Sequence, residues 1–146
     1  MKITVNIDET LPDVEVTVHA PALTPRVEQI LATLRILDQQ MMVVKGGGSY
    51  ILDVADIVYV ESVDRKPFVY TQEDYYEAKL KLYEVEERLC QSGFLRASKS
   101  CLVNLRYIRS FGSVLNRKLR LTLENDEQLI VSRQYAEEVK RRLGVL

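Results

Sequence analysis

A mostly β fold with a few helices, of the α+β class, is predicted by three features of this 146-residue chain. Short apolar runs follow one another closely from Met41 to Val131, turn-forming residues separate many of them, and only a few stretches repeat apolar residues at helical intervals. The 47% hydrophobic content is enough for a real core.

The chain opens with two alternating runs. Ile3, Val5 and Ile7 point one way, and Val14, Val16 and Val18 repeat that period after the turn Glu9-Thr10-Leu11-Pro12-Asp13, which predicts an antiparallel pair of strands. Thr24 then supplies an N-cap and Pro25 a first helical position. Val27, Ile30, Leu31, Leu34 and Leu37 follow on one face, so a helix is expected from Pro25 to Leu37. Two strands and one helix bury little alone. Residues 1–40 are therefore read as a strand-strand-helix extension that packs on the rest of the chain or on a second copy.

Residues 41–146 are read as the main domain. Strands are expected at 41–45, 50–52, 57–61, 68–71, 75–80, 102–104, 108–111, 118–123 and 128–131. Gly46-Gly47-Gly48, Asp64-Arg65-Lys66-Pro67 and Asn125-Asp126 supply turns between them. One helix is expected near Lys81 to Cys90, with Leu82, Val85 and Leu89 on a shared face. Another follows the N-cap Ser132, turning Tyr135, Val139 and Leu143 inward and stopping at Gly144.

Several function classes lose support at this level. No apolar stretch approaches the ~18–20 residues of a membrane span, and the N-terminus lacks a basic-then-apolar leader pattern. A cytoplasmic protein without membrane insertion is expected. Cys90 and Cys101 have no CxxC spacing, and His19 is the single histidine, so free thiols are expected and neither a metal nor a cofactor is implied. Lys45-Gly46-Gly47-Gly48-Ser49 is not a phosphate-binding loop, because the lysine precedes the glycines instead of following them toward a helix; a hairpin turn accounts for it. No serine sits in a Gly-x-Ser-x-Gly elbow, no nucleophile and base share motif spacing, and no small-molecule substrate is implied. The expectation is a protein without enzyme activity.

Charge is more informative once the chain is divided. Residues 1–95 hold 9 basic and 16 acidic residues, a net −7, whereas residues 96–146 hold 11 and 5, a net +6. A basic C-terminal third concentrates positive potential where a polyanion can dock. Arg65 and Lys66 occupy a turn between strands, Arg96 and Lys99 flank a connection into the apolar Leu102-Val103, and Arg133 with Gln134 opens the last helix. A guanidinium bonds guanine bidentately, an amide bonds adenine, and lysine reaches phosphate or guanine, so this mix suits major-groove reading. A helix start adds free amides and a positive dipole end that favour phosphate. Solvated turn cations are the plain alternative.

The blocks Ile57-Val58-Tyr59-Val60-Glu61-Ser62, Phe94-Leu95-Arg96-Ala97-Ser98-Lys99-Ser100-Cys101-Leu102-Val103-Asn104-Leu105, Ile108, and Ile130-Val131-Ser132-Arg133-Gln134-Tyr135 match in order the LytTR DNA-binding domain, which the chain resembles over about residues 41–146. The resemblance implies small, mostly antiparallel β-sheets whose loops, not a recognition helix, enter successive major grooves of a bent duplex. It also implies dimers on repeated promoter elements and transcription control in bacteria. Carried onto this sequence, the first DNA-contacting turn falls near Arg65, Lys66 and Pro67, the second on Ser98-Lys99-Ser100, and the third on Arg133-Gln134. Ser98 stands where the family usually has histidine, which shifts the weight of that turn to Lys99. Asn104 matches the family's Val-Asn pair and is read as structural, Tyr59, Leu102 and Val103 as core.

The resulting expectation is a sequence-specific bacterial transcription regulator, a homodimer whose partner is double-stranded DNA, with Arg65, Lys66, Arg96, Ser98, Lys99, Arg133 and Gln134 at the DNA. The alternative is a protein-interaction module, a partner or inhibitor of a membrane sensor, that uses the helix Pro25 to Leu37 as its contact.

Overall fold

The computed structural model describes residues 1–145, the side chains of residues 36–38 excepted. They fall into two compact units, Met1–Leu34 and Arg35–Leu146.

The predicted helix forms as α1 (Pro25–Asp38), of which residues 25–34 belong to the first unit. Thr24 caps it: its hydroxyl accepts the Val27 N–H at 3.4 Å and its carbonyl accepts the Glu28 N–H at 3.1 Å. Val27, Ile30, Leu31 and Leu34 are half-buried, whereas Leu37, expected on the same face, lies outside the described side chains. The strand pair expected before the helix is not formed. A turn closes where the Leu11 N–H reaches the Asp8 carbonyl at 3.3 Å, but no ladder joins residues 3–7 to 14–18 among the described residues. Ile3, Val5 and Ile7 are 78%, 75% and 86% exposed. Alternation suits a chain to extended backbone, yet a two-stranded ribbon holds only when something covers its apolar face.

The second unit contains two antiparallel sheets. The first has seven strands, β1 (Gln40–Lys45), β2 (Gly48–Asp53), β3 (Tyr59–Val63), β4 (Lys66–Tyr70), β5 (Tyr75–Ala78), β6 (Phe94–Ser98) and β7 (Cys101–Asn104), in the order β2-β1-β5-β4-β3-β7-β6. The second has three, β8 (Ile108–Ser113), β9 (Leu119–Leu123) and β10 (Gln128–Val131), with β9 central. Helices α2 (Leu82–Leu89) and α3 (Arg133–Arg142) complete the unit. Ten strands and three helices thus give the mostly β, α+β architecture that the sequence predicts.

Two departures from the expected strands have a visible cause. Ile57 and Val58 precede β3, because a 3-10 turn over Val54–Asp56 ends there with the Ile57 N–H on the Val54 carbonyl at 3.1 Å. Strand β6 is the other: it buries Phe94 on one face and Ala97 on the opposite face, which leaves no apolar-polar alternation to mark it, and a bulge between Arg96 and Ser98 interrupts its pairing.

The central strands are apolar on both faces, and each face feeds its own core. On one side Val60, Val69, Phe94 and Leu102 pack with Val85 and Leu89 of α2. On the other, Tyr59, Ala97, Cys101 and Val103 pack with Leu119, Leu121, Leu123 and Val131 of the small sheet and with Ala136 and Val139 of α3. Full burial of the valine, leucine and phenylalanine side chains among them contributes about 1.5–3 kcal/mol each. These contacts make the two sheets and both helices one scaffold. Cys101 sits unpaired in the second core, where burial pushes its thiol up to about 12, while Cys90 is exposed and also unpaired. Asn104 is buried with both ends of its amide used: Nδ2 donates to the Ile57 carbonyl at 2.9 Å and Oδ1 accepts the Arg106 N–H at 3.0 Å.

Candidate nucleic-acid interface

Strand register brings the three cationic segments together. Val63 pairs with Lys66, so Asp64 and Arg65 form the tip of the β3–β4 hairpin. Ser98 pairs with Cys101, so Lys99 and Ser100 form the tip of the β6–β7 hairpin. Because β3 and β7 are antiparallel neighbours with Glu61 opposite Cys101, both tips emerge at one end of the large sheet. The Ser62 N–H donates to the Ser100 carbonyl at 2.7 Å and ties them to each other. The third segment is anchored beside them by the Ser132 N–H, which donates to the Ala97 carbonyl at 2.8 Å just as the chain enters α3.

Each tip has a local reason for its shape. Asp64 and Arg65 both have left-handed backbone, with φ of 51° and 67°, as a two-residue hairpin turn matching the strand twist requires. Asn-Gly would adopt it with little strain, whereas a side chain such as arginine costs about 1–2 kcal/mol there. In the second tip the Ser98 hydroxyl accepts the Ser100 N–H at 3.2 Å. Arg96 braces the same turn from below: Nε donates to Glu86 Oε2 of α2 at 3.0 Å, and a terminal nitrogen donates to the Lys99 carbonyl at 2.6 Å. Its side chain is 17% exposed, which separates it from Lys99, whose side chain faces solvent. At the start of α3 the Ser132 carbonyl accepts the Tyr135 and Ala136 N–H groups, but its hydroxyl makes no capping bond. Arg133 and Gln134 are exposed on the first turn.

Ser98, Lys99, Ser100, Ser132, Arg133 and Gln134 line one open groove. Arg65 and Lys66 are exposed on the neighbouring tip. Among the described residues, none of Arg65, Lys66, Lys99 and Arg133 joins an ion pair, while Lys45, Arg96, Arg109 and Arg141 each do. Asp64 apart, the acidic side chains of the turns gather at the other ends of the strands. Glu73 and Asp74 occupy the β4–β5 turn, and Glu124, Asp126 and Glu127 the β9–β10 turn. The Gly46-Gly47 turn, with φ of 57° and 80°, also lies at that far end, where Lys45 pairs with Asp74. His19 is exposed in the other unit.

Sequence reasoning passed over the β8–β9 connection, from which Asn116 and Lys118 reach the same groove. The signal available was the run Asn116-Arg117-Lys118-Leu119-Arg120, dense in cations but absorbed into the expected strand 118–123.

Comparison with known proteins identifies the family and the fold. Residues 47–144 match the sequence model of the LytTr DNA-binding domain family. An uncharacterized HTH-type transcriptional regulator of Staphylococcus aureus strain NCTC 8325 / PS 47 is 28% identical over 147 residues, covering 99% of each chain. Its counterpart in Staphylococcus aureus strain MRSA252 is 27% identical with the same coverage. Among solved structures, a LytTr DNA-binding domain from Bacillus cereus superposes with a TM-score of 0.68 at 25% identity, covering 73% of this chain and 97% of that domain. The names of the Staphylococcus relatives carry the helix-turn-helix label. In this chain strands separate α1 from α2 and α2 from α3, so the described helices form no such pair.

Proposed function

The chain belongs to the LytTR DNA-binding domain family, and from that membership we propose that it is a sequence-specific transcription regulator that reads repeated promoter elements through its β-sheet loops. The observation that carries this reading is the meeting of three sequence-distant cationic segments, around Arg65, Lys99 and Arg133, at one end of a rigid scaffold and, among the described residues, free of ion pairs. Positive potential at that end draws in the duplex. Arg65, Lys66, Lys99, Arg133 and Gln134 then contact bases and phosphates in the major groove, and the DNA bends to meet tips that sit side by side. Arg96 serves by holding the Lys99 turn, and Ser98 by folding it. The protein acts in the cytoplasm, with no cofactor and no catalytic step.

The N-terminal extension joins two copies in this reading. Its support is the exposure of Ile3, Val5, Ile7, Val14 and Val16, apolar side chains in two alternating runs that a second extension of the same kind would cover. Two linked copies suit a doubled site.

Selection of bound duplexes from a random pool tests the whole reading. A preferred, repeated element whose affinity falls steeply with salt is expected. Recovery of no preferred sequence, together with salt-insensitive capture of a protein partner, would favour the interaction-module alternative.

A further inference from the structure

We propose that the β8–β9 connection, residues 114–118, is a fourth DNA-contacting element, with Lys118 on a backbone phosphate and Asn116 on a base edge. The inference rests on the DNA-binding reading above and adds an element that the sequence did not bring forward.

Sheet register puts the connection in place. Leu119 pairs with Ser113 on one side and with Val131 on the other. The loop that precedes Leu119 and the Ser132-Arg133 junction that follows Val131 therefore leave the small sheet at the same end. Asn116 and Lys118 accordingly form one wall of the groove whose other walls are Ser98–Ser100 and Ser132–Gln134.

The loop shares one backbone feature with the tip that carries Arg65. Asn116 and Arg117 have φ of 63° and 61°, and Asp64 and Arg65 are the other consecutive pair of non-glycine residues with left-handed backbone among those described. Side chains held in that conformation cluster where function requires them. Hydrogen bonds fix the frame, the Val114 N–H donating to the Lys118 carbonyl at 3.1 Å. Asn116, Arg117 and Lys118 are exposed, and none of the three forms an ion pair among the described residues. An asparagine amide can donate to and accept from one adenine edge, and an ammonium group neutralises one phosphate.

The test uses the full chain and the duplex selected by the wild type. Asn116→Gly keeps the left-handed backbone and removes only the amide. It is expected to relax the preference at one base-pair position of the selected element and leave the others intact. Lys118→Ala is expected to weaken binding to all sequences alike and to flatten the dependence of log affinity on log salt by about 1. Circular dichroism melts that match the wild type establish that both variants are folded. If both folded variants keep the wild-type affinity, salt slope and base preference, the inference is overturned while the DNA-binding reading stands. A wild type that selects no duplex overturns both.

Discussion

Arg96 donates to the Lys99 carbonyl at 2.6 Å while its Nε holds Glu86 at 3.0 Å, so one guanidinium links the β6–β7 tip to helix α2. The residue that braces the turn and the residue that faces solvent are thereby distinguished. Lys99→Ala should lower operator affinity by about 1–3 kcal/mol and leave the melting temperature unchanged. Arg96→Ala should lower both. The brace is part-exposed on the Glu86 side, so its loss should cost about 1–2 kcal/mol and roughly 3–8 °C in Tm. Differential scanning calorimetry beside a binding titration reads the two effects separately. Equal Tm losses in the two variants would make Lys99 a structural residue.

Arg65 occupies a left-handed position, with φ of 67°, that favours glycine. Arg65→Gly should therefore leave the fold between unchanged and about 1 kcal/mol more stable, once relief of backbone strain is set against the added freedom of the unfolded chain. The same substitution should weaken DNA binding. Denaturant titration and duplex affinity, measured on one preparation, check for this opposition of stability and function.

Val5 is 75% exposed within its row of alternating apolar side chains. Val5→Asp should leave the core of the second unit untouched and shift a dimer toward monomer in sedimentation at micromolar concentration. A wild-type monomer, with and without DNA, would remove the extension from any role in assembly.

Cys101 supplies a pH prediction with a definite sign. Burial raises its thiol from 9.0 to about 12, so the folded state keeps a proton that the unfolded state releases first. Its contribution to stability is whole below pH 9.0 and declines as the pH rises toward about 12. Near neutral pH a thiol-alkylating reagent should modify the exposed Cys90 in the native protein and reach Cys101 only after unfolding.

Much of the second unit was legible locally, because its turns carry glycine, asparagine or aspartate, the residues that adopt left-handed backbone most readily. Gly46-Gly47, Asp64-Arg65 and Asn125-Asp126 mark hairpins, and the apolar runs between them are strands. Thr24-Pro25 likewise announced α1. Strand β6 escaped because both its faces are covered, Phe94 in one core and Leu95 and Ala97 in the other, so no apolar-polar alternation marks it. The N-terminal runs kept that period without forming a ladder, since pattern specifies a face and not the partner that covers it. At the candidate interface, Arg65, Lys99 and Arg133 were legible as residues, but the convergence of the Arg65 and Lys99 tips depends on β3 lying against β7. Asn116 was missed for the same reason: it joins the groove only through the double pairing of Leu119, which no local window contains.

The central claim is that three tips form one DNA-binding face, and the triple variant Arg65→Gly/Lys99→Ala/Arg133→Ala tests it most directly. Measured on the duplex selected by the wild type, its affinity should fall by about a hundredfold or more, with the melting temperature close to that of the wild type. A folded triple variant that binds the same duplex as tightly as the wild type would contradict the account.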